Sequence, residues 1–360
     1  MKKIYIVTGA NGFLGNNVIR KIFEKSEGQD FEVRALTHSG SVKANSLEGL
    51  DVKAFQGDVA DINSLNEIFS VPKTSKVYVI HTAAIVSIKA KKDPKLYDVN
   101  VNGTKNVAEK CLEIGAKLVY VNSVHALTEK PKGEEIKEIS VFEPNKVKGA
   151  YAKSKAEAAN IVLDMVKEKG LNACILHPSG IIGPGDFGMT HLTKLIQDLA
   201  NGDFRVTVNG GYDFVDVRDL SETIVNACEL GKKGECYLLS NKYCSIKALA
   251  NITCEFVGLK KIKINIPTWV CKMFAPICEL YYNLKKVPPL FTSYSLYTIN
   301  SNGNFCNSKA KAELGFAPRS VKKTIEDTIL WLKEQNRVRD RFDKKYLALS
   351  LSKKEKKLQV

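Results

Sequence analysis

What this chain lacks narrows its chemistry before any motif is read. No two of its nine cysteines are spaced C-x-x-C, and its five histidines form no cluster with cysteine at metal-ligand spacing, so no zinc or other metal site is expected. The cysteine count is odd and the residues scatter from Cys111 to Cys306, which suits reduced thiols in a cytoplasmic protein better than a disulfide framework. No removable apolar leader follows Met1, because Lys2 and Lys3 run straight into the first short apolar stretch, and no secretory signal is expected. The longest apolar region, Ile266 to Tyr282, is interrupted by Lys272, Pro276 and Glu279. It is too short and too broken to span a bilayer.

Acidic charge is also scarce. There are 54 Lys and Arg against 39 Asp and Glu, for a net charge of +15, yet no aromatic and basic stripe runs through the chain, and no nucleic-acid partner is expected. Residues 337–360 hold nine Lys/Arg and three Asp/Glu. They read as a solvated basic tail with at most a weak attraction to an anionic membrane surface.

What is present begins at the N-terminus. The apolar run Ile4 to Val7 leads into Thr8-Gly9-Ala10-Asn11-Gly12-Phe13-Leu14-Gly15 and then into a helical stretch from Asn17 to Lys25. Strand, glycine turn and helix in that order form a phosphate-binding arrangement: Gly9 permits the tight turn, Gly12 lets backbone approach a pyrophosphate, and Gly15 lets the helix pack on the strand. A bound dinucleotide is expected.

Further on, apolar runs at Glu32–Leu36, Val52–Gln56, Val77–His81, Leu118–Asn122 and Ala173–Leu176 alternate with helical periodicity at Ile62–Phe69, Tyr97–Ile114 and Tyr151–Lys169. Alternation of this kind predicts an α/β, doubly wound parallel sheet of the Rossmann type. After Pro178 glycines break the rhythm and the later elements shorten. The expected organisation is a dinucleotide-binding domain over 1–177, to which segments near 212–240 return, then a smaller mixed substrate-binding part over 178–336, and the tail over 337–360.

Tyr151 and Lys155 stand four apart, on one face of the long helix. A lysine ammonium beside a phenol favours phenolate and brings tyrosine towards acid/base work near neutral pH. The same spacing recurs at Tyr243/Lys247, Tyr281/Lys285 and Tyr282/Lys286, so position must separate them. Only Tyr151 follows the core strand that ends at Asn122-Ser123.

Together with Gly57-Asp58-Val59, His81-Thr82-Ala83-Ala84, Asn100-Val101-Asn102-Gly103-Thr104 and His177-Pro178-Ser179-Gly180-Ile181-Ile182-Gly183-Pro184-Gly185, these motifs resemble the extended short-chain dehydrogenases/reductases along nearly the whole chain except the tail. The resemblance implies Tyr151 as general acid or base, Lys155 on the nicotinamide ribose and tuning Tyr151, and Ser123 orienting a carbonyl. It implies cofactor contacts from Gly9, Asn11, Gly12, Phe13, Leu14, Gly15, Asp58, Val59, Ala83, Ala84, Asn102 and Pro178, besides Tyr151 and Lys155. His81 and His125 either border the nicotinamide or the substrate or are structural. A homodimer built on the Tyr151 helix is a further implication.

The second strand ends Leu36-Thr37-His38-Ser39 with no acid to accept from a ribose, and Lys43 follows. His38 and Lys43 therefore favour NADP over NAD. Within the extended branch, Tyr212 stands before Asp213-Phe214-Val215 where sugar-nucleotide enzymes carry a diphosphate-gripping arginine. The region from Trp269 to Tyr294 is rich in aromatics. With His125, Tyr212 and Trp269 as substrate contacts, the resemblance narrows to the group of dihydroflavonol reductase and 3β-hydroxysteroid dehydrogenase, acting on a bulky, largely apolar ketone or aldehyde and its alcohol. A sugar-nucleotide epimerase or dehydratase with retained NAD, and a non-catalytic NAD(P)-binding protein, are the alternatives.

Overall fold

The computed structural model describes residues 1–38, 44–87, 93–271, 273 and 293–339. Its centre is a seven-stranded sheet in the order β10-β6-β5-β4-β1-β2-β3, formed by β1 (Lys3–Thr8), β2 (Phe31–Thr37), β3 (Lys53–Gln56), β4 (Lys76–His81), β5 (Lys117–Val121), β6 (Ala173–Pro178) and β10 (Cys236–Leu239). Every neighbouring pair is parallel. The inner strands β1, β4, β5 and β6 are apolar on both faces because both faces are covered, whereas the edge strand β3 is largely exposed. Alternate residues feed two separate cores: Ile4, Ile6, Val79, Leu118 and Ile175 pack on one side, and Tyr5, Val7, Ile80, Val119 and Leu176 on the other.

Helices α4 (Gly103–Ile114) and α5 (Ala150–Lys169) supply the first core with Val107, Ala108, Ala156, Ala159 and Val162. The second receives Leu14, Val18, Ile19 and Ile22 from α1 (Phe13–Lys25), and Leu220 and Ile224 from α7 (Val217–Leu230). Strand order reverses between β1 and β4. At that point the carboxyl ends of neighbouring strands open a crevice.

Between 178 and 339 lie smaller pieces. A three-stranded mixed sheet joins β7 (Gly180–Ile182), β9 (Gly211–Asp216) and β11 (Lys242–Ser245), and a parallel ribbon joins β8 (Val206–Val208) to β12 (Ile264–Ile266). Helices α6 (His191–Ala200), α8 (Ile246–Phe256) and Val321–Glu334 pack on one another beneath them. Among the described residues no helix is long and apolar enough to cross a membrane.

One expected helix is broken. The run Tyr97–Ile114 divides into a short α3 (Pro94–Tyr97), a wide turn over Asp98–Asn102 closed by the Gly103 N–H on Asp98 O, and α4. The buried Asn100 side chain draws the turn inward by bonding the backbone of Ile85 through N at 2.8 Å and O at 3.0 Å. Turns of this width inside helices mark functional sites. The stretch Ile62–Phe69 likewise resolves into a tight turn, Ile62–Leu65, and the single-turn α2 (Asn66–Phe69).

Candidate active site

The glycine turn is built by steric exclusion. Gly9 has φ +67°, and a Cβ there would stand 2.8 Å from Ala83 N, while a Cβ on Gly15 would stand 2.2 Å from Gly9 O. Neither position has room for a side chain. Gly12 begins α1 with no side-chain cap and no acid in the first turn, so the amides from Phe13 to Gly15 and the positive helix end are offered to an anion. Asn16 Nδ2 reaches Gly12 O at 2.8 Å and Gly185 O at 3.1 Å, fastening the Gly183-Pro184-Gly185 loop onto the turn that also carries Asn11. The cradle fits a dinucleotide pyrophosphate.

Towards the adenosine end, His38 is exposed and lies 3.4 Å from Asp58, whose other oxygen caps Ala60 N at 2.9 Å. Val59 packs against Gly103, where a Cβ would meet its methyl at 2.6 Å. Ala84 follows Ala83 beside the turn, and Pro178 is buried at the end of β6. Lys43 lies outside the described residues. Asn102 is exposed and bonds Asp98 at 2.7 Å. The wide turn shifts the phase of the helix and puts Asn100 inside instead.

Ser123 stands two residues beyond β5 with its hydroxyl accepting from His125 N at 3.2 Å, and it lies near enough to Tyr151 to pull the phenol towards its ionised form. Burial pushes the Tyr151 phenol up to about 12 against the opposing pull of Ser123. This corrects the expected lowering by Lys155. The Lys155 Nζ does not reach Tyr151; it donates to Tyr120 Oη at 3.1 Å and Val121 O at 3.0 Å, and sits 4.7 Å from the Tyr120 ring centre. Burial brings Lys155 itself down to about 7, because the interior disfavours its charge.

Sequence reading named neither Tyr120 nor the role of His177. The latter places Nδ1 3.1 Å from Ser123 O, and since a carbonyl only accepts, Nδ1 carries the proton. Its Nε2 is buried without a partner. Burial holds His177 down at about 4, so it braces Ser123 as a neutral ring.

Opposite Tyr151 stands an aromatic wall. His125 stacks on Tyr212 with centroids 5.5 Å apart and planes 10° apart, and its Nε2 lies 3.1 Å from the Tyr212 hydroxyl. The Tyr151 ring meets His125 edge-on at 6.1 Å, and the Tyr294 ring lies 6.5 Å from that of His125. Gly149, φ +93°, admits Tyr294, since a Cβ there would be 2.4 Å from its ring. His81 does not border this space: it is fully buried between Thr8 and Thr104. Trp269 is 65% exposed and joins none of these rings. Of the repeated Tyr/Lys pairs, Tyr243 is exposed on β11, and Tyr281 and Tyr282 lie outside the described residues.

Comparison with known proteins agrees with this geometry. The model of the NAD dependent epimerase/dehydratase family matches residues 5–240. The chain is 30% identical over 341 residues to sterol demethylase protein B of Methylococcus capsulatus, covering 92% of this chain and 99% of that protein. It is 28% identical over 349 residues to a putative dihydroflavonol 4-reductase of Synechocystis sp., covering 94% and 97%. The crystal structure of gox2253 superposes with a TM-score of 0.79 at 29% identity, covering 93% of this chain and 99% of that one. With its glycine cradle and doubly wound sheet, the chain belongs to the NAD dependent epimerase/dehydratase family and is an NAD(P)-dependent oxidoreductase of the extended short-chain type.

Proposed function

We propose that this enzyme interconverts a bulky, largely apolar ketone or aldehyde with its alcohol, with NADP as the favoured cofactor and Tyr151 as the acid/base. The carrying observation is the buried Tyr151 phenol set near Ser123 and against the wall of His125, Tyr212 and Tyr294. Tyr212 is buried and stacked where sugar-nucleotide enzymes need a cationic fork, and this disfavours a diphosphate-bearing substrate. Relatives named for sterol and dihydroflavonol chemistry support the same class.

When held by the glycine turn, the dinucleotide would supply hydride in the reductive direction. Ser123 orients the substrate carbonyl, and Tyr151, kept protonated by burial, gives its proton to the oxygen as charge develops there. His125 and Tyr294 close water out and hold the flat substrate against Tyr151. Lys155 holds a positive charge behind the reacting pair and takes the cofactor ribose. His38, with no acid at the end of β2, faces the 2′-phosphate.

Mass spectrometry of released cofactor and an NADPH-oxidation screen over steroid and flavonoid-like ketones test this directly. Tyr151→Phe should cut kcat about 10²–10⁴-fold, the usual range for acid/base residues, with NADPH affinity nearly unchanged. Retained turnover, or tight binding of UDP-sugars with none of the ketones reduced, would overturn the reading.

A further inference from the structure

Tyr120 and Val121 close β5, Asn122 follows them, and each of these residues engages Lys155 of α5. The Lys155 Nζ donates to Tyr120 Oη at 3.1 Å and to Val121 O at 3.0 Å. Asn122 answers from strand to helix: its Nδ2 donates to the backbone O of Lys155 at 3.0 Å. Strand and helix thus each hold the other's backbone through a side chain. The clasp is buried, with Asn122 4% and Lys155 2% exposed.

Lys155 O lies inside α5, where the helical ladder already supplies one donor. A carbonyl oxygen has a second lone pair, and Asn122 takes it. For stability alone the amide is a poor choice, because its Oδ1 is buried with no partner among the described residues, and an unanswered buried acceptor costs free energy. Leucine would fill much the same space without that cost. What the amide adds is direction, a bond that fixes which turn of α5 faces the end of β5.

That end carries Ser123. Asn122 N continues the ladder to Leu176 O of β6 at 2.7 Å, and Ser123 O is held from the same strand by His177 Nδ1 at 3.1 Å. Residues 122 and 123 are therefore pinned to β6 through their backbone, while the Asn122 side chain reaches across to α5.

We propose that Asn122 is a positioning residue: it locks the Lys155 turn of α5, and with it Tyr151 one turn earlier, in register with Ser123. The reaction in which those residues act is the one read above, and Asn122 itself touches none of the reacting atoms. A helix free to shift at Lys155 moves the phenol relative to the Ser123 hydroxyl. Misplacement by about 1 Å is enough to cost up to about a hundredfold in rate.

The test is Asn122→Leu, which keeps the bulk and removes the donor, with Asn122→Ala as a second variant that opens space instead. In the cofactor-free protein, NMR with 13C′-lysine and 15N-alanine reads the Lys155–Ala156 peptide, assigned by its absence in Lys155→Met. Its 13C′ resonance should move upfield as the second donor is lost. In both variants kcat for the ketone should fall about tenfold, the rate equivalent of one hydrogen bond. The ketone KM and the NADPH Kd should change less than about threefold, a fraction of that bond.

Beside Ser123→Ala, Asn122→Leu should cost less than about twofold, since there is then no hydroxyl to keep in register. A merely structural defect would carry its full cost into both backgrounds. Folded variants with unchanged kcat, a tenfold loss that persists beside Ser123→Ala, or an unmoved Lys155 carbonyl resonance would each overturn the proposal. Full turnover in Ser123→Ala alone would overturn the reading of the reaction instead, with the carbonyl resonance still deciding the clasp.

Discussion

On the dinucleotide side of the crevice, backbone meets backbone: Gly9 against Ala83 N, Gly15 against Gly9 O, Gly103 against Val59. On the substrate side, ring meets ring: His125 on Tyr212, Tyr151 edge-on to His125, and Tyr294 beside His125. The first contact type forbids any side chain and leaves sequence little freedom. The second is a set of exchangeable surfaces. A fold of this family can therefore keep one cofactor seat while its substrate wall drifts, and mutations on the two sides should fail in different ways.

The largest effect on the rigid side should come from Gly9→Ala. Left-handed backbone costs an alanine about 1–2 kcal/mol, and the approach to Ala83 N adds strain, for a total loss of roughly 3 kcal/mol. Gly28 gives the internal control, because it has φ +74° with nothing within 4 Å of an added Cβ. Gly28→Ala should show only the conformational part, about 1 kcal/mol. Equal shifts in denaturant midpoint for the two variants would show that the turn is not sterically closed.

Proton handling comes next. Burial brings Lys155 to about 7, so its ammonium is complete below that pH and lost above it. If the charged form is the active one, kcat/KM of the free enzyme falls about tenfold per pH unit above 7. Lys155→Arg, charged throughout, should flatten that limb at reduced kcat. An unchanged limb would assign it to another group.

A smaller effect is expected at His38, exposed and 3.4 Å from Asp58. An arginine fork grips phosphate with two parallel charged hydrogen bonds, so His38→Arg should raise the NADPH over NADH ratio of kcat/KM about tenfold, or about 1.4 kcal/mol. A shift towards NADH would mean that this end of β2 does not face the 2′-phosphate.

The same division governs how far the sequence could be read. Gly9, Gly12 and Gly15 were legible because a steric requirement is local, and the two-sided strands because both faces are filled. The order Ser123 then Tyr151 marked the pair that the proposed reaction uses. What failed depended on neighbours far along the chain: Tyr120, not Tyr151, receives Lys155, because β5 lies under α5 and burial favours an acceptor there. The inward turn of Asn100 was not foreseen because a one-residue widening of a helical turn leaves no mark on periodicity. Trp269 was weighted for its size, yet it is exposed.

The wall itself offers the finest test. Tyr212 Oη and His125 Nε2 are 3.1 Å apart, and burial holds the Tyr212 phenol well above its ordinary value and His125 at about 4. Both groups are then neutral at pH 7, and their bond is an ordinary neutral one, contributing about 1 kcal/mol. Tyr212→Phe keeps the stack and should raise the ketone KM only about fivefold, the equivalent of that bond, with kcat unchanged. Tyr212→Arg goes further: it removes the stacked phenol and restores a cationic fork beside Tyr151. If side chains alone choose the substrate here, Tyr212→Arg should lose the apolar ketone and gain measurable UDP-sugar binding while NADPH affinity stays put. A parallel loss of NADPH affinity would show that the two sides of the crevice are not independent.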